Sequence, residues 1–444
     1  MKANYLKELL KLMPMKFQSF NPINSPSETT KLNILIIFAL ALIGFGFSQN
    51  SPGEIWRGLG AIMTAPDTLI SDYIGIGGIG ATFVNAGSLA LIVLWIIHRL
   101  QLPITGFTIA CLFTVTGVGL FGKNLFNVWL IPLGVLIYAH RQKKPIKEVI
   151  YSALFGTALA PVTTEILFST VASPWVTIPL GITVSLLIGF ILIPVATNLL
   201  KVHQGFNLYN MGFTAGVVGI IFVSILNSYG IVPIPQMIWT TGNNRLFTVF
   251  LLSLLLAMLG MGCYWERNPW SKLKTICQYS GQLRTDFVEL TGFGATLINM
   301  AITGLMAIAY ILFVGGDLNG PTIGGILTVI GFGAFGKHPR NILPIFGGIY
   351  LATLSKTVAA NDAVMVLAAL LGTTLAPIAG KYGWFWGVTA GFIHCSAVQS
   401  VVVLHGGLNL YNNGFAAGIV AAVLIPVIEM AKECKSKGSL GGDT

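Results

Sequence analysis

Two lysines stand where lysine is hard to place. Lys123 closes the run Gly117-Val-Gly-Leu-Phe-Gly, and Lys337 closes Gly331-Phe-Gly-Ala-Phe-Gly. Polar residues follow each lysine, Asn124 and Asn127 after the first, His338 and Asn341 after the second, and then a short apolar run. A charged amine within hydrocarbon is costly and functional by default, so each lysine is a candidate to neutralise an anion or to change protonation in a working cycle. The glycines before it allow close approach of another backbone or of a ligand. The alternative is a pair of interfacial lysines whose heads reach the lipid headgroups.

A second paired motif is uncharged: Asn207-Leu-Tyr209-Asn210-Met-Gly-Phe and Asn409-Leu-Tyr411-Asn412-Asn-Gly-Phe. Asn and Tyr offer donors and acceptors without charge. At the start of a helix they suit a small polar solute, or an anion drawn to the helix N-terminus. Read structurally, Asn207 and Asn409 cap helices and the tyrosines sit in an aromatic belt. The third pair is Gly156-Thr-Ala-Leu-Ala-Pro161 and Gly372-Thr-Thr-Leu-Ala-Pro377. Proline breaks the helical ladder, so each predicts a broken or kinked helix. Glu165, just past the first of these, is the candidate coupling carboxylate, with an interfacial position as the alternative. Asn85 and Asn299 fall inside apolar runs and read as interhelical hydrogen-bond partners or cavity liners.

The elements that carry these residues must be membrane helices. Of the 444 residues 54% are hydrophobic and 9% charged, against about 25% charged in a soluble domain. That excludes disorder, a disulfide scaffold and a large catalytic domain outside the bilayer. The five cysteines form no CxxC, and no His lies at ligand spacing, so neither a metal nor another cofactor is expected. No HExxH, GxSxG or Asp-rich phosphate motif is present, and the chain is not expected to be an enzyme. The formal charge of +10 falls between apolar runs, where it reports topology and not nucleic acid.

The pairing of motifs reflects a duplication. Shifted by 214 residues, 72–127 aligns with 286–341 without a gap, with 19 identities in 56 positions. Residues 31–226 and 245–430 are therefore two copies of one unit. Around them lie residues 1–30, with a surface helix expected in the bilayer interface, a linker at 227–244, and a tail at 431–444. The apolar runs of the first copy fall at 33–49, 78–98, 103–121, 125–139, 148–168, 174–198 and 208–226. Those of the second fall at 246–264, 290–314, 320–336, 342–355, 363–380, 384–404 and 409–430. The predicted fold is all-α and polytopic, with about 14 hydrophobic segments in two repeats of seven. The third and fourth runs of each copy form either two full spans or one re-entrant hairpin with the lysine at its tip; the expected number of spans is 12–14. Threaded from a cytoplasmic N-terminus, the inside loops hold 21 of the 25 Lys and Arg, which puts both termini in the cytoplasm and the linker outside. Seven is odd, so the second copy starts on the opposite side from the first: an inverted repeat, the architecture of many secondary transporters.

On the Gly-rich Lys motifs and the Asn-Leu-Tyr-Asn motifs, the whole chain resembles a family of bacterial multi-pass membrane proteins of unknown function. The resemblance implies the bacterial cytoplasmic membrane and names no substrate. Leu102-Pro-Ile-Thr-Gly106 and Leu208-Tyr-Asn-Met-Gly-Phe-Thr-Ala-Gly216 are similar in type to the repeat motifs of urea transporters; the second copy departs from the first of these with Asn319-Gly-Pro-Thr322. The seven-plus-seven count is also similar to that of nucleobase and sulfate carriers, at the level of fold alone. The expected function is a permease: a secondary transporter of a small polar or anionic solute, working by alternating access. The alternative is a passive urea-like channel for a neutral solute. The expected partners are that solute and the lipid bilayer, with no nucleic acid; a homodimer is compatible with the sequence.

Overall fold

The computed structural model describes residues 26–440, with side chains to residue 434. The expected interfacial helix within 1–30 lies outside the described residues except for its last few. There a helix already begins at Glu28, capped by Ser27. The helices in chain order are α1 (Glu28–Gln49), α2 (Pro52–Thr64), α3 (Tyr73–Arg99), α4 (Gly106–Val118), α5 (Leu130–Arg141), α6 (Ile146–Gly156), α7 (Ala160–Leu167), α8 (Pro174–His203) and α9 (Asn210–Ser228). They continue with α10 (Asn244–Trp265), α11 (Pro269–Ile276), α12 (Phe287–Thr291), α13 (Phe293–Phe313), α14 (Gly320–Phe332), α15 (Pro339–Leu354), α16 (Ala363–Gly372), α17 (Ala376–Tyr382), α18 (Trp384–Val401) and α19 (Asn412–Leu440). Only isolated bridges represent β structure among the described residues.

Every one of the fourteen apolar runs forms a helix, but among the described residues ten helical segments, not the 12–14 expected, are long and apolar enough to cross a membrane. The difference lies in the third and fourth runs. α4 and α14 have 13 residues each and α5 has 12. Thirteen residues rise about 20 Å, short of a hydrocarbon core of about 30 Å. Glycine ends both α4 and α14 early. Gly122 and Gly336 adopt positive φ, and the following lysine N–H returns to the carbonyl five residues back, Lys123 to Val118 and Lys337 to Phe332. This is the glycine-dependent helix stop, and a residue with a Cβ would resist it.

The GTALAP and GTTLAP segments break their helices as the prolines predict. A 3-10 turn at Thr157–Leu159 separates α6 from α7, and one at Thr373–Leu375 separates α16 from α17. Each proline opens the following helix, where its missing N–H leaves no gap in the ladder.

The two short helices α4 and α14 pack side by side in opposite directions. A Cβ built on Gly117 would fall 2.5 Å from the Gly324 carbonyl oxygen, and one on Gly324 would fall 2.4 Å from that of Gly117. At one end Asp286 accepts from the N–H groups of Gly106 and Phe107, the N-terminus of α4. At the other Asp72 accepts from Gly320 N–H, the N-terminus of α14. Carboxylates suit helix N-termini, where backbone donors lack partners.

The linker forms a strap on the Asp72 end. Ile238 exchanges backbone hydrogen bonds with the 70–72 segment, Gln236 N–H donates to Thr68 Oγ1, and Thr240 donates through both N–H and hydroxyl to Asp72. Leu69 N–H in turn donates to the Gly407 carbonyl.

Candidate functional site

Both lysines are fully buried, at 0% exposure, and neither reaches an interface. Lys123 sits past the C-terminus of α4, and its Nζ donates to Tyr411 Oη at 2.5 Å. Lys337 sits past the C-terminus of α14 and donates to Tyr209 Oη at 2.5 Å and to Thr373 Oγ1 at 2.7 Å. Each amine also lies over its tyrosine ring, 4.5 Å and 4.6 Å from the centroid. A helix C-terminus and an aromatic face both favour a cation. The lysine of each half is thus held by the tyrosine of the other.

Asn85 and Asn299 hold the loops that carry the lysines. Asn85 Nδ2 donates to the carbonyls of Gly119 and Lys123, and Asn299 Nδ2 to those of Gly333 and Lys337. These are carbonyls that the end of a short helix leaves free. Asn85 Oδ1 also accepts from Leu125 N–H. The corresponding residue in the second half is Pro339, which has no N–H, and Asn299 Oδ1 is left without a partner.

Asn207 and Asn409 do not act as simple helix caps. Each folds back on its own motif, Oδ1 accepting from the N–H of Tyr209 or Tyr411. Each also crosses to the other half: Asn207 Nδ2 donates to Gly414 O at 2.8 Å, and Asn409 Nδ2 to Gly212 O at 3.3 Å. Asn210 and Asn412 accept from His203 and His405. These contacts fix α9 and α19 against each other and set Tyr209 and Tyr411 on either side of the crossing.

Tyr209, Tyr411 and Asn210 face a cavity of about 590 Å³. Its walls are mostly apolar, including Val118, Phe155, Ile193, Phe332 and Phe335, with Thr114, Thr328 and Tyr151 among the polar groups. Glu148, Arg284 and Glu289 line it as well and are exposed, which marks the mouth. The mouth lies beside Asp286 and the N-terminus of α4, the end opposite the strap.

The other sequence-expected site residues are buried away from this space. Asn124 N–H donates to Asn127 Oδ1, and Asn127 N–H returns to Asn124 Oδ1, which closes the turn after Lys123. His338 N–H donates to Asn341 Oδ1, the matching turn after Lys337. None of these four lines the cavity, nor does Glu165, which is partly exposed on α7. The structure therefore brings Tyr209, Tyr411 and Asn210 to the cavity wall, whereas Lys123 and Lys337 do not line it and sit behind the two tyrosines. Asn124, Asn127, His338, Asn341, Asn207, Asn409 and Asn412 serve as the frame around it.

Two contributors were not legible in the sequence. Thr373 reaches Lys337, although its motif signals only a helix break. Asp67 accepts from Tyr73, Asn124, Asn127 and Thr164, and no repeat or motif marks it.

Among the described residues, ten long apolar helices, broken helices and buried polar groups around an internal cavity define a helical multi-pass membrane protein. The chain belongs to the family described as "Protein of unknown function (DUF1576)", whose model matches residues 51–228 and 266–430. No curated protein and no solved structure matches it.

Proposed function

We propose that this protein is a secondary transporter of a small anion, in which two inverted halves move against each other to expose one site to either side in turn. The observation that carries this reading is the reciprocal exchange at the cavity base, Lys123 to Tyr411 and Lys337 to Tyr209. Each amine touches hydroxyl groups and rings, and no carboxylate is among those contacts. A buried ammonium without a counter-charge is expensive, and an arriving anion supplies one. In this arrangement the tyrosine hydroxyls form the surface that the solute meets, with the amines directly behind them.

Matched contacts support the inverted arrangement. The polar bonds of Asn85, Asp72, Asn207 and Lys123 each have a counterpart from the other half, and α4 runs antiparallel to α14. An inverted repeat with a site at the meeting of the halves and helices that stop midway is the general plan of many carriers. With the Lys- and Arg-rich loops inside, the mouth at Arg284 faces the cytoplasm and the strap faces out. A cavity closed at its Tyr end suits a carrier better than an open urea-like channel.

The test is thermal unfolding of purified protein against a panel of inorganic and small organic anions, followed by uptake of any stabilising anion into liposomes. A stabilising anion should raise the unfolding temperature of the parent and have little effect on Lys123→Met or Lys337→Met. Equal stabilisation of parent and both variants, or binding without transmembrane flux, contradicts the reading.

A further inference from the structure

Asp67 has no counterpart. The register that joins Asp72 to Asp286 places Gly281 at the matching position. The asparagine bond to the turn carbonyl is common to both halves, Asn127 Nδ2 to Gly122 O and Asn341 Nδ2 to Gly336 O; in the second half the further acceptor is a backbone carbonyl, with His338 Nε2 3.0 Å from Tyr279 O. A Cβ on Gly281 would fall 2.1 Å from Gly336 O, so no side chain fits there. In the first half a carboxylate occupies the place instead. Asp67 is 1% exposed and collects four neutral donors. Tyr73 Oη donates to Oδ1 at 2.5 Å; Asn127 Nδ2, Asn124 Nδ2 and Thr164 Oγ1 approach Oδ2 at 2.8, 3.1 and 3.2 Å.

Those donors come from three separate elements: α3, the Lys123 turn, and α7 behind the helix break. A carboxylate joins all three because both of its oxygens are acceptors. A proton on Oδ2 would set a hydrogen against the two Asn amide groups, which cannot accept it and would have to turn away, while Thr164, whose hydroxyl also donates to Pro161 O, has a lone pair to receive it. A proton on Oδ1 would have to be donated to Tyr73 Oη, which already receives Asn124 Nδ2. Either way the knot loosens. Other ionisable groups on the surrounding elements are engaged elsewhere. The Lys123 amine is directed to Tyr411, Asp72 to Thr240 and the α14 N-terminus, His405 to Asn412, and Glu54 and Arg57 to the first turn of α2. Glu165 follows Thr164 but is partly exposed. Tyr73 is the titratable group in hydrogen-bond contact with Asp67.

We propose that Asp67 is a proton-binding site of the first half: one proton from water adds to the carboxylate, frees the Lys123 turn from α3 and α7, and so couples proton movement to the motion of that half. The coupling rests on the transport reading; the titration does not. The absence of an equivalent in the second half confines the effect to one side of the molecule.

The experiment is pH-difference infrared spectroscopy on the full-length protein in liposomes, joined to thiol labelling of Leu125→Cys, in the Lys123 turn, in a cysteine-free background. The parent should show a buried carboxylic-acid band that grows on acidification and is lost in Asp67→Asn. Thr164→Val, which removes one donor that favours the charged form, should move the midpoint of that band to higher pH. The acid-to-neutral ratio of labelling rates should exceed that of the same reporter carrying Asp67→Asn, which leaves only the titration of the thiol. A parent band unchanged by Asp67→Asn, or a midpoint unmoved by Thr164→Val, overturns the site. A band that titrates as expected beside labelling that ignores Asp67 overturns the coupling. If all three readouts hold and no anion crosses the bilayer under a proton gradient, the transport reading fails while the proton site stands.

Discussion

Gly212 and Gly414 meet without a side chain between them: a Cβ on Gly212 would lie 3.1 Å from Gly414 Cα, and one on Gly414 would lie 3.0 Å from Gly212 Cα. One turn further on, each helix offers a glycine notch to a phenylalanine of the other. A Cβ on Gly216 would fall 2.1 Å from Cγ of Phe415, and one on Gly418 would fall 2.2 Å from Cγ of Phe213. The tyrosines that face the cavity are positioned by this contact.

Gly216→Ala should therefore lower the unfolding temperature in detergent, by an overpacking cost of about 1–3 kcal/mol. Phe415→Ala, which removes the Cγ and Cδ2 that the new methyl meets, should cost less in the Gly216→Ala chain than in the parent. A double variant no more stable than the sum of its single changes would show that the notch is not where the strain lies.

Asn85 and Asn299 should differ in cost. Replacing either by Ala strips two buried carbonyls of their donor, at about 1–3 kcal/mol per unsatisfied group. Asn85→Ala also orphans Leu125 N–H, whereas Pro339 has no N–H to lose. Chemical or thermal unfolding of the two variants should rank Asn85→Ala as the less stable.

Lys123→Cys and Lys337→Cys should resist a membrane-impermeant thiol reagent applied from the strap side. From the cavity side they should react far more slowly than Thr197→Cys, because the tyrosine rings cover them. Rapid labelling of Lys123→Cys from the strap side would return that lysine to an exposed loop.

The orientation can be checked in intact cells. Cysteines at Arg57 and Lys356 should react from outside, while those at Arg284 and Glu289 should need a permeant reagent. The opposite pattern would reverse the topology and turn the cavity mouth outward.

Much of this was legible because of the duplication. The 214-residue shift singles out Lys123 and Asn85, and a second register of 202 residues singles out Asn207 and Tyr209, by pairing each with a polar residue of the second half. The short fourth run of each half anticipates the lysine hairpins, and proline anticipates the breaks in α6–α7 and α16–α17. The third runs were longer on paper than their helices, because glycine and the lysine turn end α4 and α14 before the apolar sequence stops. What periodicity does not carry is which half a side chain touches, so the exchange of tyrosines between lysines was not available from sequence. Asp67 escaped for the opposite reason: a search for repeated polar positions passes over a residue whose counterpart is glycine.

The exchanged contacts bear on how the chain is made. Leu208 and Tyr209 donate to Thr374, and Asn207 donates to Gly414, some two hundred residues downstream. Chains generally fold from the N-terminus as they are synthesised. Here the first half enters the bilayer with polar groups whose partners have not yet been translated, and a bilayer offers no water in their place. Folding of the first half therefore ends only after the last helix has been inserted, and until then its Asn-Leu-Tyr-Asn segment is the part most in need of an insertase or chaperone.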